Sequence, residues 1–148
     1  MRTPDRVQLA VETPSAGFRL IRVAGALGVE AAARLVRLAD MQLQVLGVVG
    51  VARHAVCHLL VDLAGVGHFG PGAVETLRHV RHTAARAGIG VHLTGCGGRL
   101  TLLPVRVRQV LTEFSTFPSV EEAVAELGSD DAAADWGARV EKVRPDRV

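Results

Sequence analysis

Tyrosine is absent from this 148-residue chain, lysine occurs only as Lys142, and aromatic residues make up 3% of the sequence. Proteins that bind single-stranded nucleic acids stack the bases on aromatic side chains, so this composition argues against that class. The formal net charge of +2 is too small to indicate a surface that binds a phosphate backbone. We therefore expect no nucleic acid among the partners of the protein.

Cysteine is also scarce, since Cys57 and Cys96 are the only two in the chain. Two cysteines in apolar surroundings provide neither a disulfide framework nor a paired Cys-x-x-Cys metal signal, so we expect both to be buried free thiols. His79 and His82 are spaced to share one face of a helix, but no carboxylate or cysteine stands at a supporting spacing. The sequence therefore predicts surface histidines, no metal site and no cofactor.

Long apolar segments are missing as well. Residues 1–14 lack the apolar core of a signal peptide, and the longest uncharged apolar run, residues 45–52, is too short to span a membrane. Hydrophobic residues at 49% and charged residues at 22% are typical of a globular protein. We expect a cytoplasmic protein without membrane contacts, with one domain over residues 1–128 and a flexible polar tail over residues 129–148.

Hydrophobic periodicity predicts alternating strands and helices. Strands are expected at residues 7–11, 18–24, 58–63 and 89–94, with an edge strand at 116–117. Helices are expected at 29–46, with Val45 among the core-facing residues, at 74–87, at 102–114 with Pro104 near the first turn, and at 119–128 with Ser119 as the cap. Residues 47–54 are predicted to be a loose connection. This order predicts an α/β fold with a mixed, mostly parallel sheet and helices packed on it.

Three segments carry a resemblance to a known family. They are LIRVAGALG at residues 20–28, LLVDLAGVGHF at residues 59–69, and TFPSVEEA at residues 116–123. Read together they resemble the STAS family of anti-sigma factor antagonists and related bacterial signalling domains. The likeness covers about residues 7–127 and is most specific at residues 62–66. It implies a STAS-like α/β fold, a structural role for Asp62, and an anti-sigma factor or kinase-type protein as partner.

The chain departs from that family at the loop after the central strand. There the family carries Asp-Ser-Ser-Gly, and the first serine is phosphorylated by a partner kinase. The resemblance places these four positions on residues without hydroxyl groups, namely Gly70, Pro71, Gly72 and Ala73. Similarly, the Glu and Asp of the family's earlier motif correspond to Ala26 and Gly28.

The resemblance nevertheless predicts that this loop binds the partner. The expected partner-binding residues are Phe69, Gly70, Pro71, Gly72, Ala73 and Glu75. Gly70 can cap the following helix and Pro71 suits its first position. Thr76 and Thr83 are alternative phosphoacceptors on that helix.

The functional hypothesis is a regulatory binding module that works without phosphorylation and is not an enzyme, because Asp62 has no Ser, His or Cys placed as an obvious catalytic partner. The alternative is a scaffold module of a larger complex that forms homo-oligomers, using the apolar residues 47–52 or the sheet edge.

Overall fold

A computed structural model describes residues 7–128, so the predicted tail at 129–148 lies outside the described residues. Its strands are β1 (Gln8–Glu12), β2 (Phe18–Leu27), β3 (His58–Phe69), β4 (Gly90–Thr94) and β5 (Ser115–Phe117). They form one five-stranded sheet in the order β1-β2-β3-β4-β5. β1 is antiparallel to β2, and the pairs β2–β3, β3–β4 and β4–β5 are parallel. The predicted mixed α/β fold and the edge strand are therefore confirmed.

Helices connect the parallel strands. They are α1 (Val29–Arg53), α2 (Ala73–Arg86) and α3 (Val105–Leu111), with a 3₁₀ turn at Gly97–Leu102. A last helix, α4, covers residues 120–128. The large core cluster joins α1, α2 and α3 to one face of the sheet through residues such as Leu35, Leu77 and Val110. A smaller cluster, with Phe18, Leu20, Leu60, Val120 and Ala123, packs α4 on the other face.

The central strand β3 is longer than predicted. Residues 58–63 are all buried, as their continuous apolar run indicates. The strand then continues to Phe69, which pairs with Leu27 at the end of β2. This second half contains exposed Ala64, Gly65 and His68 and carries no hydrophobic alternation, so the sequence pattern did not reveal it.

Two predictions about helix α1 are wrong. Residues 47–53, predicted to be a loose connection, are helical, and the helix ends only at His54, whose φ is 53°. Two glycines suggested a break, but buried Leu46 holds this part of the helix against the sheet. Val45, expected in the core, is 38% exposed because it lies beyond the edge of the buried stripe.

The predicted helix at 102–114 is also wrong in part, because it is divided into the 3₁₀ turn and α3. Leu103 is extended, with ψ of 154°, as favoured for the residue before a proline. Pro104, expected near the first turn of a longer helix, is consequently the N-cap of the shorter α3. The Ser119 cap of α4 is confirmed by a 3.2 Å hydrogen bond from the Glu122 N–H to Ser119 Oγ. Cys57 and Cys96 are buried free thiols, as expected.

Within residues 7–128, α1 is the one helix long and apolar enough to cross a membrane by length and composition. The prediction from sequence considered only the run at 45–52 and did not include the apolar turns before it. In the fold, one face of α1 packs on the sheet through Leu35, Ala39 and Leu46. Its other face is solvent-exposed and includes Met41 and Val48.

Candidate partner-binding site

A tight turn follows the carboxyl end of β3 and leads into α2. The Ala73 N–H donates a 3.2 Å hydrogen bond to the Gly70 carbonyl, with Pro71 and Gly72 between them. Gly72 has φ of 84° and ψ of −10°. These angles, with proline before them, define a type II β-turn. The Gly70 N–H donates a 2.8 Å hydrogen bond to the Leu27 carbonyl, which fixes the turn to the end of β2.

This turn changes where α2 begins. Gly70 was expected to cap the helix and Pro71 to be its first residue, but the N-cap is Gly72 and the first helical residue is Ala73. The expectation is wrong because the proline is the first central residue of the turn. The Gly72 carbonyl then accepts the first helical hydrogen bond, at 3.0 Å, from the Thr76 N–H.

The six predicted site residues lie together around this turn, but not all reach the surface. Pro71, Gly72 and Glu75 are exposed, and Gly70 is half-buried. Phe69 and Ala73 are buried in the core and support the turn from below. The turn therefore offers a partner a small and mostly backbone surface.

A cleft of about 930 Å³ lies on one side of the turn. Gly70 and Pro71 line it together with Ala26 and Gly28, so the two departures from the family motifs lie in one place. The residues at these four positions contribute no carboxylate to the cleft. His68, Glu30 and Arg34 supply its polar lining.

A groove of about 500 Å³ lies on the other side, between the turn and the start of α3. An ion pair crosses it from Arg106 Nη2 to Glu75 Oε2. The hydrogen bond from Arg106 is the main cause that holds the pKa of Glu75 below its usual range. Both side chains are largely exposed, so a partner can reach them.

Two exposed apolar residues next to this groove were missed by the sequence reasoning. Leu102 is 81% exposed and Val105 is 56% exposed. The pattern analysis placed residues 102–114 in one helix and gave no role to Leu102 or Val105. The signal that could have identified them is Pro104, because a proline separates the two residues into different elements.

The arginines near the site do not form a free basic patch. The Arg78 Nε donates a 3.1 Å hydrogen bond to Glu113 Oε1, and Arg81 approaches the same carboxylate at 3.8 Å. Arg99 points inward and donates hydrogen bonds to the carbonyls of Leu63, at 2.6 Å, and of Val66. It therefore fixes the second half of β3, which leads to the turn.

Asp62 lies on the α4 face of the sheet and is almost fully buried. Its carboxylate accepts hydrogen bonds from Thr94 Oγ1 at 2.8 Å and from Arg22 Nη1 at 3.1 Å. Arg22 also pairs with Glu12 at 2.7 Å. These contacts join β1, β2, β3 and β4, which is the arrangement expected for a structural aspartate.

In the part of the chain that the structure describes, no group of three or more His, Cys, Asp or Glu side chains is placed to hold a metal ion. His79 and His82 are exposed on α2.

The strand order, the single antiparallel edge and the exposed turn between β3 and α2 define an α/β domain of the STAS type. The STAS domain family model matches residues 9–123. The chain belongs to the STAS family. No curated protein shows significant sequence similarity to it.

Solved structures with this fold include an anti-sigma factor antagonist from Mycobacterium paratuberculosis, at 19% identity and a TM-score of 0.60, covering 85% of this chain and 97% of that one. The anti-sigma factor antagonist SpoIIAA in its unphosphorylated form is similar at 11% identity and a TM-score of 0.60, over 82% of this chain and 98% of that one. The Bacillus cell fate determinant SpoIIAA in the phosphorylated form is similar at 13% identity and a TM-score of 0.57, over 81% of this chain and 99% of that one. At these identities the likeness is one of fold.

Proposed function

We propose that this STAS domain is a non-enzymatic regulatory module that binds an anti-sigma factor or an anti-sigma kinase in the bacterial cytoplasm. The observation that carries the proposal is the exposed Pro71–Gly72 turn, which stands between two clefts at the end of the central strand. The family membership and the similar folds of anti-sigma factor antagonists support this class of partner. The proposed contact residues are Phe69, Gly70, Pro71, Gly72, Ala73 and Glu75.

The shape of the turn supports binding that does not depend on phosphorylation. A Cβ atom on Gly70 would stand 3.1 Å from Gly28 Cα and 3.2 Å from the Leu27 carbonyl oxygen, which are both backbone atoms. Gly72 has a positive φ of 84°, which disfavours any residue with a side chain. Two of the four positions therefore resist the family's Asp-Ser-Ser-Gly sequence, and none of the present residues has a hydroxyl group to modify.

The surroundings of the turn suggest how the contact area is extended. Val105 stands in the chain between Pro104 and Arg106, which line the groove with Glu75, and it presents apolar surface to solvent, as does Leu102 two residues before Pro104. An apolar contact bordered by an exposed ion pair has the pattern of an interface centre with a polar rim.

Ser115 on β5 and His92 on β4 are close enough to be considered as a catalytic pair. Ser115 Oγ lies 2.7 Å from His92 Nδ1, the distance expected of a nucleophile and its base. Burial, followed by the nearby His58, lowers the pKa of His92 to about 4. An imidazole with this pKa is a weak base at neutral pH, so the pair supports a structural role.

Binding can be tested with purified anti-sigma kinases of the source bacterium, each measured with ATP and with ADP by biolayer interferometry. We expect one kinase to bind with dissociation constants that agree within about twofold in the two nucleotides, because the turn cannot be phosphorylated. Val105→Glu should weaken binding by about tenfold or more. The matched control is Val48→Glu, which also replaces an exposed valine but lies on the half of α1 that is distant from the turn, and it should leave binding unchanged.

Two results would count against the proposal. The first is that no anti-sigma factor or kinase binds. The second is a phosphate on Thr76 or Thr83, found by mass spectrometry, together with release of the partner.

A further inference from the structure

The exposed face of the C-terminal half of α1 is an uncharged stripe, the α1 stripe, formed by Met41, Val48 and Val51. Between Met41 and Ala52 the chain has no Asp, Glu, Lys or Arg. Met41 is 59% exposed, Val48 is 72% exposed and Val51 is 76% exposed. Their spacing places them on one side of the helix, opposite the residues that pack on the sheet.

The stripe is bordered by a glycine inside the helix, Gly47. A Cβ atom on Gly47 would have no atom within 4 Å. Glycine inside a helix is destabilising relative to alanine, so it is usually kept where another backbone comes close. Gly47 borders the groove between α1 and α2, and the open space at its Cα leaves room for a backbone from outside the domain to come close.

The exposed apolar area of the stripe is comparable to the largest apolar patch on a typical monomeric protein. With Val45 and Val56, its side chains present apolar surface on the order of 500 Å², near the upper end of what monomeric proteins expose. Two such surfaces together would bury about 1,000 Å², which is the lower limit for a specific interface. The area therefore fits a weak association.

We propose that two copies of this chain pair through the α1 stripe, with the two helices antiparallel and the two-fold axis close to Val48. In this orientation Val45 of each copy meets Val51 of the other. Met41 of each copy then lies near the opposite helix end, where Val56 is 52% exposed.

Charge favours the antiparallel orientation. Arg34 and Arg37 are exposed on the N-terminal half of α1. An antiparallel pair with its axis near Val48 places the Arg34 and Arg37 side chains of the two copies at opposite ends of the interface, where they do not meet. A parallel pair would bring each of these arginines next to the same arginine of the other copy, and the two positive charges would repel each other.

The residue types favour a helix over a lipid surface as the occupant. Helices that lie on membranes bury large side chains such as Trp, Phe and Leu, with basic residues along the polar face. The stripe, with the residues that border it, consists mainly of Val, Gly and Ala, with Met41 and Gln44, and short side chains allow two helices to approach closely. It is also self-complementary, as a two-fold interface requires.

This association does not depend on the proposed partner site. The turn lies beside Gly28, at the N-terminal end of α1, and the stripe is on the other half of the same helix. A pair of copies would leave both turns free to bind two separate partner molecules, so binding at the turn does not require the pair.

Sedimentation velocity of the full chain, from low micromolar to several hundred micromolar, tests the proposal. We expect a monomer–dimer equilibrium with a dissociation constant of about 10–100 µM. Val48→Glu should raise this constant by about tenfold or more. The control is Val105→Glu, an exposed valine on α3, which should leave self-association unchanged while it weakens kinase binding. A wild-type chain that stays monomeric at the highest concentration would overturn the proposal, as would equal loss in both variants.

Orientation and the membrane alternative have separate readouts. Under oxidising conditions Val48→Cys should form a disulfide-linked dimer, and Arg37→Cys should not; rapid cross-linking of Arg37→Cys would exclude the antiparallel pair. Flotation with vesicles of phosphatidylserine and phosphatidylcholine should leave the wild-type chain in the unbound fraction. Binding to these vesicles that Val48→Glu abolishes, in a chain that does not dimerise, would assign the stripe to a membrane instead.

Discussion

Gly70 in the turn lies against the backbone of Gly28 at the start of α1, so Gly70 has no room for a side chain, whereas a Cβ atom on Gly28 would have no atom within 4 Å. A Cβ atom on Gly70 would come within 3.1 Å of Gly28 Cα. These residues belong to two separate segments in which the chain departs from the family motifs, and the Gly70–Leu27 hydrogen bond joins the segments. The close packing of the turn onto the end of β2 therefore depends on glycine at position 70 and not on glycine at position 28.

Gly70→Asp should consequently destabilise the domain by about 1–3 kcal/mol, because the new Cβ atom meets backbone that cannot rotate away. Urea unfolding followed by circular dichroism measures the change. Gly67→Ala is the matched control, since a Cβ atom there has no atom within 4 Å, and it should change stability by less than about 0.5 kcal/mol. Equal stability of Gly70→Asp and the wild type would show that the strands separate easily at this point.

Pro71→Ser alone should create a phosphoacceptor. Pro71 is exposed, and a hydroxyl at this position can be placed without changing Gly70 or Gly72. A kinase that binds the native turn is expected to phosphorylate the variant and then release it, because the added charge alters the binding surface. Intact mass spectrometry and interferometry with ATP follow both steps, and ADP is the control. Phosphorylation of the native protein within residues 69–73 is chemically excluded, so any phosphate found on the native chain must lie elsewhere.

Asp62→Ala should cost about 2–3 kcal/mol of stability. The substitution leaves the fully buried Thr94 hydroxyl without its acceptor and removes one of the two carboxylate partners of Arg22, which keeps Glu12. Arg22→Ala should cost less, because the Arg22 side chain is 42% exposed and exposed ion pairs contribute little. Chemical denaturation of both variants makes the comparison. A larger loss for Arg22→Ala would assign the stabilisation to the salt bridge and not to the buried hydrogen bond.

Stability should rise with pH between pH 5 and 7 because of His92. Burial, with a smaller effect of His58, lowers its pKa to about 4 in the folded domain, while the unfolded chain has the ordinary value of about 6.5. Between these values the unfolded chain binds more protons, so acidification favours unfolding. Since His92 is partly exposed, we expect a loss of about 1–2 kcal/mol from pH 7 to pH 5.

Urea midpoints at several pH values, measured on the wild type, His92→Gln and His82→Gln, separate this effect from other titrations. His92→Gln should flatten the pH dependence, and His82→Gln, on the exposed face of α2, should retain it. A dependence that persists unchanged in His92→Gln would assign it to other groups.

The sequence predicted the fold because its strong signals are local. The buried run at 58–63, the amphipathic pattern of α2 and the Ser119 cap each occur within one element, and each is present in the structure. The extent of α1 was underestimated because helix propensity counts Gly47 and Gly50 against the helix, whereas tertiary packing of Leu46 decides it.

The site was predicted in position but not in shape. The resemblance located the turn between Phe69 and Ala73, yet the choice between a helix cap and a type II turn depends on the φ of Gly72. The groove with Leu102 and Val105 required the break at Pro104, and the cleft required the approach of Gly28 to Gly70. These are contacts between segments far apart in the chain, which no local pattern contains.

The Pro71–Gly72 turn also bears on how such a module could carry a signal. A covalent switch changes the state of molecules that are already present, within seconds and reversibly. A turn made of proline and glycine has one chemical state, so the fraction of partner that it occupies depends on how many copies the cell holds. Under the proposed function, synthesis and degradation of the chain would therefore set the output, and the response could be no faster than the turnover of the protein itself.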